Sequence, residues 1–105
     1  MQIQVYTDSN IEGRENLAIY IRGLVGDAIR RFSDRISRIE VHIRDTNGLK
    51  NSRDDKHCMI EVRIKGHQPI AVTHFASTLN EAVSGAIDKV KRSMESTLER
   101  LEHHR

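Results

Sequence analysis

The first seven residues, MQIQVYT, alternate: Ile3 and Val5 fall on one face, and Gln2, Gln4 and Tyr6 on the other. A period of two is that of a half-buried strand. The period then lengthens. From about Arg14 to Phe32 the apolar residues Leu17, Ile21, Leu24, Val25, Ala28, Ile29 and Phe32 recur at three and four residues, which predicts an amphipathic helix. Gly23 and Gly26 each cost it about 1 kcal/mol against alanine; close packing against a neighbour is the expected reason, and a hinge is the alternative. RISRIEVHIR returns to period two, with Ile39, Val41 and Ile43 inward and Arg38, Glu40, His42 and Arg44 outward. The polar run DTNGLKNSRDDK, with Asn47-Gly48, predicts a long exposed loop. HCMIEVRIKG gives a third strand, with Cys58, Ile60, Val62 and Ile64 on one face and Met59, Glu61, Arg63 and Lys65 on the other. Pro69 stands at the entry to a fourth strand, in which Ile70, Val72 and His74 share a face. Thr78 and Glu81 make a T-x-x-E capping box. The helix it opens runs to about Glu102, with Leu79, Ala82, Val83, Ala86, Ile87, Val90, Met94, Leu98 and Leu101 as a sustained stripe.

The order is therefore β-α-β-β-β-α, an α+β fold. One apolar face per strand and one apolar stripe per helix are satisfied together by a four-stranded sheet with both helices on one face, leaving the other face wet. The first two strands, joined through a helix, should be parallel, and the last three an antiparallel meander, so the sheet is mixed. A 24-residue helix spans about 36 Å and a strand of six or seven residues about 20 Å. The second helix should overshoot, leaving Leu98 and Leu101 to cover a loop, the first helix or a partner, including a second copy of the chain. At 105 residues one domain over positions 1–105 is expected.

Composition narrows the chemistry. No apolar run reaches the length of a membrane span, and the chain enters its first strand without a signal-peptide pattern. The single cysteine, Cys58, has no internal partner, and a reducing, cytoplasmic setting is expected. The six histidines, His42, His57, His67, His74, His103 and His104, are scattered without ligand spacing, so neither a metal nor another cofactor is expected. His74 reads as a partly buried strand residue and Cys58 as a core thiol; His57 beside it points to the opposite face and cannot serve as its base. No phosphate-binding glycine pattern occurs, so an enzyme with a small-molecule substrate is not expected. Basic residues are unevenly spread: positions 14–65 hold twelve Lys/Arg against eight Asp/Glu. Arg22, Arg30, Arg31, Arg35 and Arg38 run from the first helix into the second strand, Lys50, Arg53 and Lys56 lie in the loop, and Lys89, Lys91 and Arg92 on the second helix. Such side chains are suited to phosphates of structured RNA.

The whole pattern, with Asn10-Ile11-Glu12 after the first strand, Leu17 with Tyr20-Ile21 in the first helix, FSDRIS around Asp34-Arg35-Ile36, and Ala86-Ile87-Asp88-Lys89 in the second helix, resembles the ribosome hibernation promoting factor family. That family includes the ribosome-associated inhibitor, or ribosomal subunit interface protein, and carries the label sigma-54 modulation protein; the likeness is to its short, single-domain form, without the dimerisation domain of long members. The resemblance implies a cytoplasmic factor that binds the small ribosomal subunit and its ribosomal RNA across the path of messenger and transfer RNA. It would block initiation by occupancy, without catalysis. It also makes Lys89 and Arg92 the first choice for RNA contacts, then Lys91, with Arg22, Arg30, Arg31 and Arg35 as further candidates. Gly23, Gly26 and Asp27 depart from the lysines usual in the family's first helix. A regulatory protein-interaction module that kept the fold and lost the ribosome is the alternative.

Overall fold

The computed structural model describes residues 1–8, 13–45 and 55–103. The Asn47-Gly48 turn, Lys50, Arg53, the Asn10-Ile11-Glu12 segment and His104 lie outside the described residues. Four strands, β1 (Gln2–Thr7), β2 (Ile36–Asp45), β3 (Lys56–Ile64) and β4 (Ile70–Ala76), form one sheet in the order β1-β2-β3-β4. β1 and β2 are parallel, and β2, β3 and β4 pair antiparallel. Two helices, α1 (Arg14–Ala28) and α2 (Leu79–His103), pack on the same face, α1 chiefly over β1 and α2 over β3 and β4. The expected α+β architecture and mixed sheet are what the chain forms.

The alternation explains the packing. Ile39, Val41 and Ile43 of β2 and Cys58, Ile60 and Val62 of β3 are fully buried beneath the helices, with Ile21 and Val25 of α1 and Ala82, Ala86, Val90 and Met94 of α2 above them. Between neighbouring strands the pairing keeps this set on one face: Val41 stands opposite Ile60, and Ile60 opposite Val72. Slipping either register by one residue would turn these branched side chains to water. The β3–β4 turn uses Gly66 at φ 71, and α1 begins after Gly13 at φ 64, left-handed conformations that favour glycine.

Two expectations are corrected and one set of alternatives is narrowed. The first helix does not run to Phe32. Ile29 leaves helical geometry at φ −115 and ψ 16, and residues Arg30–Arg35 form a 3-10 helix in which the Phe32 N–H bonds to the Ile29 carbonyl at 2.9 Å. Three-residue spacing stacks Ile29 and Phe32 on one side, so both are buried and the chain enters β2 with Ile36 already in the core. Gly23 and Gly26 are not sites of close packing: a Cβ on Gly23 would meet nothing within 4 Å, and one on Gly26 only Ile3 Cδ1 at an ordinary 3.6 Å. Nothing in the described structure explains Gly23. At the end of α2, the surface that Leu98 and Leu101 cover is the chain's own core. Leu98 is only 7% exposed within the core cluster, and Leu101 packs against it. Among the described residues no helix is long and apolar enough to cross a membrane.

Candidate nucleic-acid interface

α2 carries its bases on two flanks because its stripe divides them. Thr78 opens the helix: its hydroxyl oxygen accepts the Glu81 N–H at 3.1 Å, and its O–H donates to the Glu81 carboxylate at 2.9 Å. This reciprocal capping sets where the helix starts and therefore which residues fall inward. With Val90 and Met94 buried, Lys91 turns towards α1 and Lys89 and Arg92 towards β4.

The α1-facing flank brings Arg30, Arg31 and Lys91 together in an open groove of about 590 Å³, but Asp27 and Glu95 line it too. Arg30 pairs with Asp27, and Arg31 binds Glu95 while its guanidinium lies 4.6 Å above the Phe32 ring. Exposed pairs of this kind stabilise by about 0.2–1 kcal/mol. A phosphate could displace either carboxylate at small cost, yet the groove's net charge is only slightly positive. Arg22 is elsewhere, in a cleft between α1 and β1 with Arg14, Glu15, Ala18 and Ile19. Arg35 is exposed at the end of the 3-10 helix, where its carbonyl accepts the Lys65 N–H at 2.9 Å.

The β4-facing flank differs. Lys89 Nζ donates to the Thr73 carbonyl of the edge strand at 2.7 Å. Arg92 is exposed and shares a shallow groove of about 340 Å³ with Ile70, Ser93, Ser96, Thr97 and Arg100. Intervals of three and eight place Lys89, Arg92 and Arg100 along one side of the helix. Among the described residues none of the three is in an ion pair; Asp88, one turn before Arg92, does not reach it. Arg100 was not among the sequence-derived candidates. Its eight-residue interval from Arg92 is the signal that finds it, once Glu99 and Glu102 are known to fall off this flank's groove.

The profile of the family described as "Sigma 54 modulation protein / S30EA ribosomal protein" matches residues 4–102. The chain belongs to this family. Among solved structures it is similar to a ribosomal subunit interface protein from Coxiella burnetii, with a TM-score of 0.68 and 16% identity over 94% of this chain and 99% of that one. It is also similar to the Protein Y N-terminal domain of Thermus thermophilus, with a TM-score of 0.71 and 17% identity over 92% of this chain and 99% of that domain. At such identities the likeness is one of fold. No curated protein matches the chain by sequence. Family membership accounts for the fold across nearly the whole chain, whereas the division of bases between two flanks is a property of this molecule's own side chains.

Cys58, His57 and His74 are side chains of β3 and β4 with groups suited to nucleophilic or acid–base chemistry. Cys58 is fully buried, and burial pushes its thiol up to about 12, far from a thiolate nucleophile. His57 points from the other face of β3 and leans on Phe75. His74 faces α2, half-buried against Gly85.

Proposed function

We propose that this chain acts as a single domain over residues 1–105 that binds the small ribosomal subunit through ribosomal RNA, lies over the path of messenger and transfer RNA, and thereby holds idle ribosomes out of translation in the cytoplasm. The family match over residues 4–102 carries this reading. The names of its structural relatives, a ribosomal subunit interface protein and Protein Y, agree with it. Lys89 and Arg92, with Arg100 on the same flank, are the primary phosphate contacts; Lys91, Arg30 and Arg31 form a second set that must exchange carboxylates for phosphates; Arg22 and Arg35 contribute at the margins. The mechanism is steric occupancy without covalent chemistry, membrane or small-molecule substrate. A regulatory protein-interaction module that kept the fold and lost the ribosome is the weaker reading, and its self-associating version is weakened further because Leu98 lies within the chain's own core.

Co-sedimentation with purified small subunits tests the proposal. Three phosphate contacts alone weaken binding by about 40-fold between roughly 50 and 200 mM salt. Lys89→Glu/Arg92→Glu should remove most of the bound fraction at the lower salt. Binding that ignores both salt and these substitutions, or no binding at all, would refute it.

A further inference from the structure

The open face of the sheet is divided into two unlike halves. Towards one end its charges are spent on each other: Arg38 pairs with Glu40 at 2.8 Å, and Arg63 with Glu61 at 3.4 Å. Arg38 also donates to Gln4 at 2.7 Å. Towards the other end the side chains are rings. Tyr6, His42, Met59 and Thr73 make one row across all four strands, and Arg44, His57 and Phe75 the next. Tyr6 stacks on His42 with centroids 4.8 Å apart and planes 19° from parallel, and His57 packs against Phe75 at 4.7 Å.

A chain with only four Phe and Tyr residues in all keeps two of them here, with Tyr6 43% and Phe75 55% exposed. Neither thickens the core: their cross-strand ring pairs stabilise by about 0.2–1 kcal/mol each, and about half of each residue is still left to water. The strand residues of the two rows include no carboxylate, although Glu40 touches His42 from the adjoining row at 3.3 Å and Asp8, whose carboxylate accepts the Asp45 N–H at 3.1 Å, lines a small pocket with Tyr6, His42 and Arg44. Arg44 has no ion-pair partner among the described residues. At the β4 edge the Tyr6 row ends at Thr73, whose carbonyl holds Lys89. The ring face is thus continuous with the unpaired basic flank of α2. Exposed rings on a sheet, with Arg44 in the second row and Lys89 at the β4 edge, match a strand of bases joined by phosphates; an apolar protein surface would gain little from a face so interrupted by Thr73, His42 and Arg44.

We infer that this end of the open sheet face is a stacking platform for single-stranded RNA, with Tyr6 and Phe75 receiving bases and Arg44 and Lys89 the phosphates. That the strand is RNA rests on the proposed function; the ring face itself would accept any single-stranded polynucleotide. The occupied surface then wraps from α2 around β4 onto the sheet.

The probe is a fluorescein-labelled ten-nucleotide oligoadenylate, followed by anisotropy, with Tyr6→Ala, Phe75→Ala and the double substitution. Loss of one ring should weaken binding about fivefold to a hundredfold, and both together more. In the unsubstituted protein the ring resonances of Tyr6, Phe75 and His42 should shift on adding the RNA, a readout that does not depend on any variant folding. Absence of binding, affinities unchanged by both ring substitutions, or shifts confined to α2 would overturn the inference. Small-subunit co-sedimentation separates it from the proposed function. Ring-dependent oligoadenylate binding without ribosome binding leaves the platform standing alone, whereas ribosome binding without any ring-dependent oligoadenylate binding sinks the platform and spares the function.

Discussion

Gly85 faces the ring of His74 across the contact between α2 and β4, and the geometry there is demanding. A Cβ at position 85 would lie 2.0 Å from His74 Cδ2, 2.3 Å from Nε2 and 2.5 Å from Cγ. Non-bonded carbons settle at about 3.5–4.0 Å, so Gly85→Ala forces the ring to retreat by about 1.5 Å. His74 pairs with Cys58 in the β3–β4 ladder, so its backbone is not free to follow. Overpacking costs about 1–3 kcal/mol, and overlap with three ring atoms argues for the upper end. Against it stands the gain of about 1 kcal/mol from replacing a helical glycine by alanine. The net expectation is a loss of about 2 kcal/mol, which for a chain of this size lowers Tm by roughly 8–16 °C. In a His74→Ala background the obstacle is gone, and the same substitution should stabilise by about 1 kcal/mol. Thermal and urea melts followed by circular dichroism on the four proteins of this cycle measure the coupling. If Gly85→Ala raises Tm with His74 present, or lowers it equally in both backgrounds, the proposed clash is wrong.

Gly23 has open space around it on an exposed turn of α1, so Gly23→Ala should raise stability by up to about 1 kcal/mol in urea melts; a loss would show a requirement for glycine that the structure does not contain. Cys58, with its thiol pushed up to about 12 by burial, should react with iodoacetamide only on unfolding, and rapid labelling of the native protein would contradict its burial. Burial first, then the charges of Arg44 and His42, hold His57 below its usual 6.5. The unfolded chain then binds the proton more readily, so stability is lost as pH falls below about 6.5 and levels off once pH is below the folded value. His57→Phe, which keeps the ring packing on Phe75, should flatten that limb in urea melts at about pH 7.5 and 5.5; an unchanged slope would assign the acid sensitivity to another group.

The fold was legible because its signals are local and redundant. Every strand announces itself by alternation, and Ile39, Val41, Cys58, Ile60 and Val62 are inward in the structure as their spacing requires. The α2 stripe and its Thr78–Glu81 cap agree on where the helix begins. What periodicity could not reveal is a change of helical pitch. Leu17 to Phe32 fits one α-helical stripe on paper, yet Ile29 and Phe32 also satisfy three-residue spacing, and burial of both favours the tighter turn. Gly23 and Gly26 misled for a related reason: glycine permits close approach, but whether a neighbour comes close is settled by the other side of the contact.

The candidate site was legible only as a list of bases, because a cation's availability depends on partners distant in sequence. Arg31 and Glu95 are 64 positions apart, and nothing near either residue foretells that they meet. Composition and spacing alone therefore do not separate Arg30 and Arg31 from Lys89 and Arg92; the family resemblance ranks the second pair first, and the ion pairs of the folded chain show how the first pair differs. Arg100 is the opposite case: it stands among Glu99 and Glu102 in the sequence, but the helix turns it into the groove of Arg92. The same reasoning applies to the rings. Tyr6 and Phe75 lie 69 positions apart at opposite edges of the sheet, and only the register through His42, Met59 and His57 gathers them on one end of one face. Local alternation says that each points outward; pairing alone makes two outward rings a surface long enough to receive more than one base.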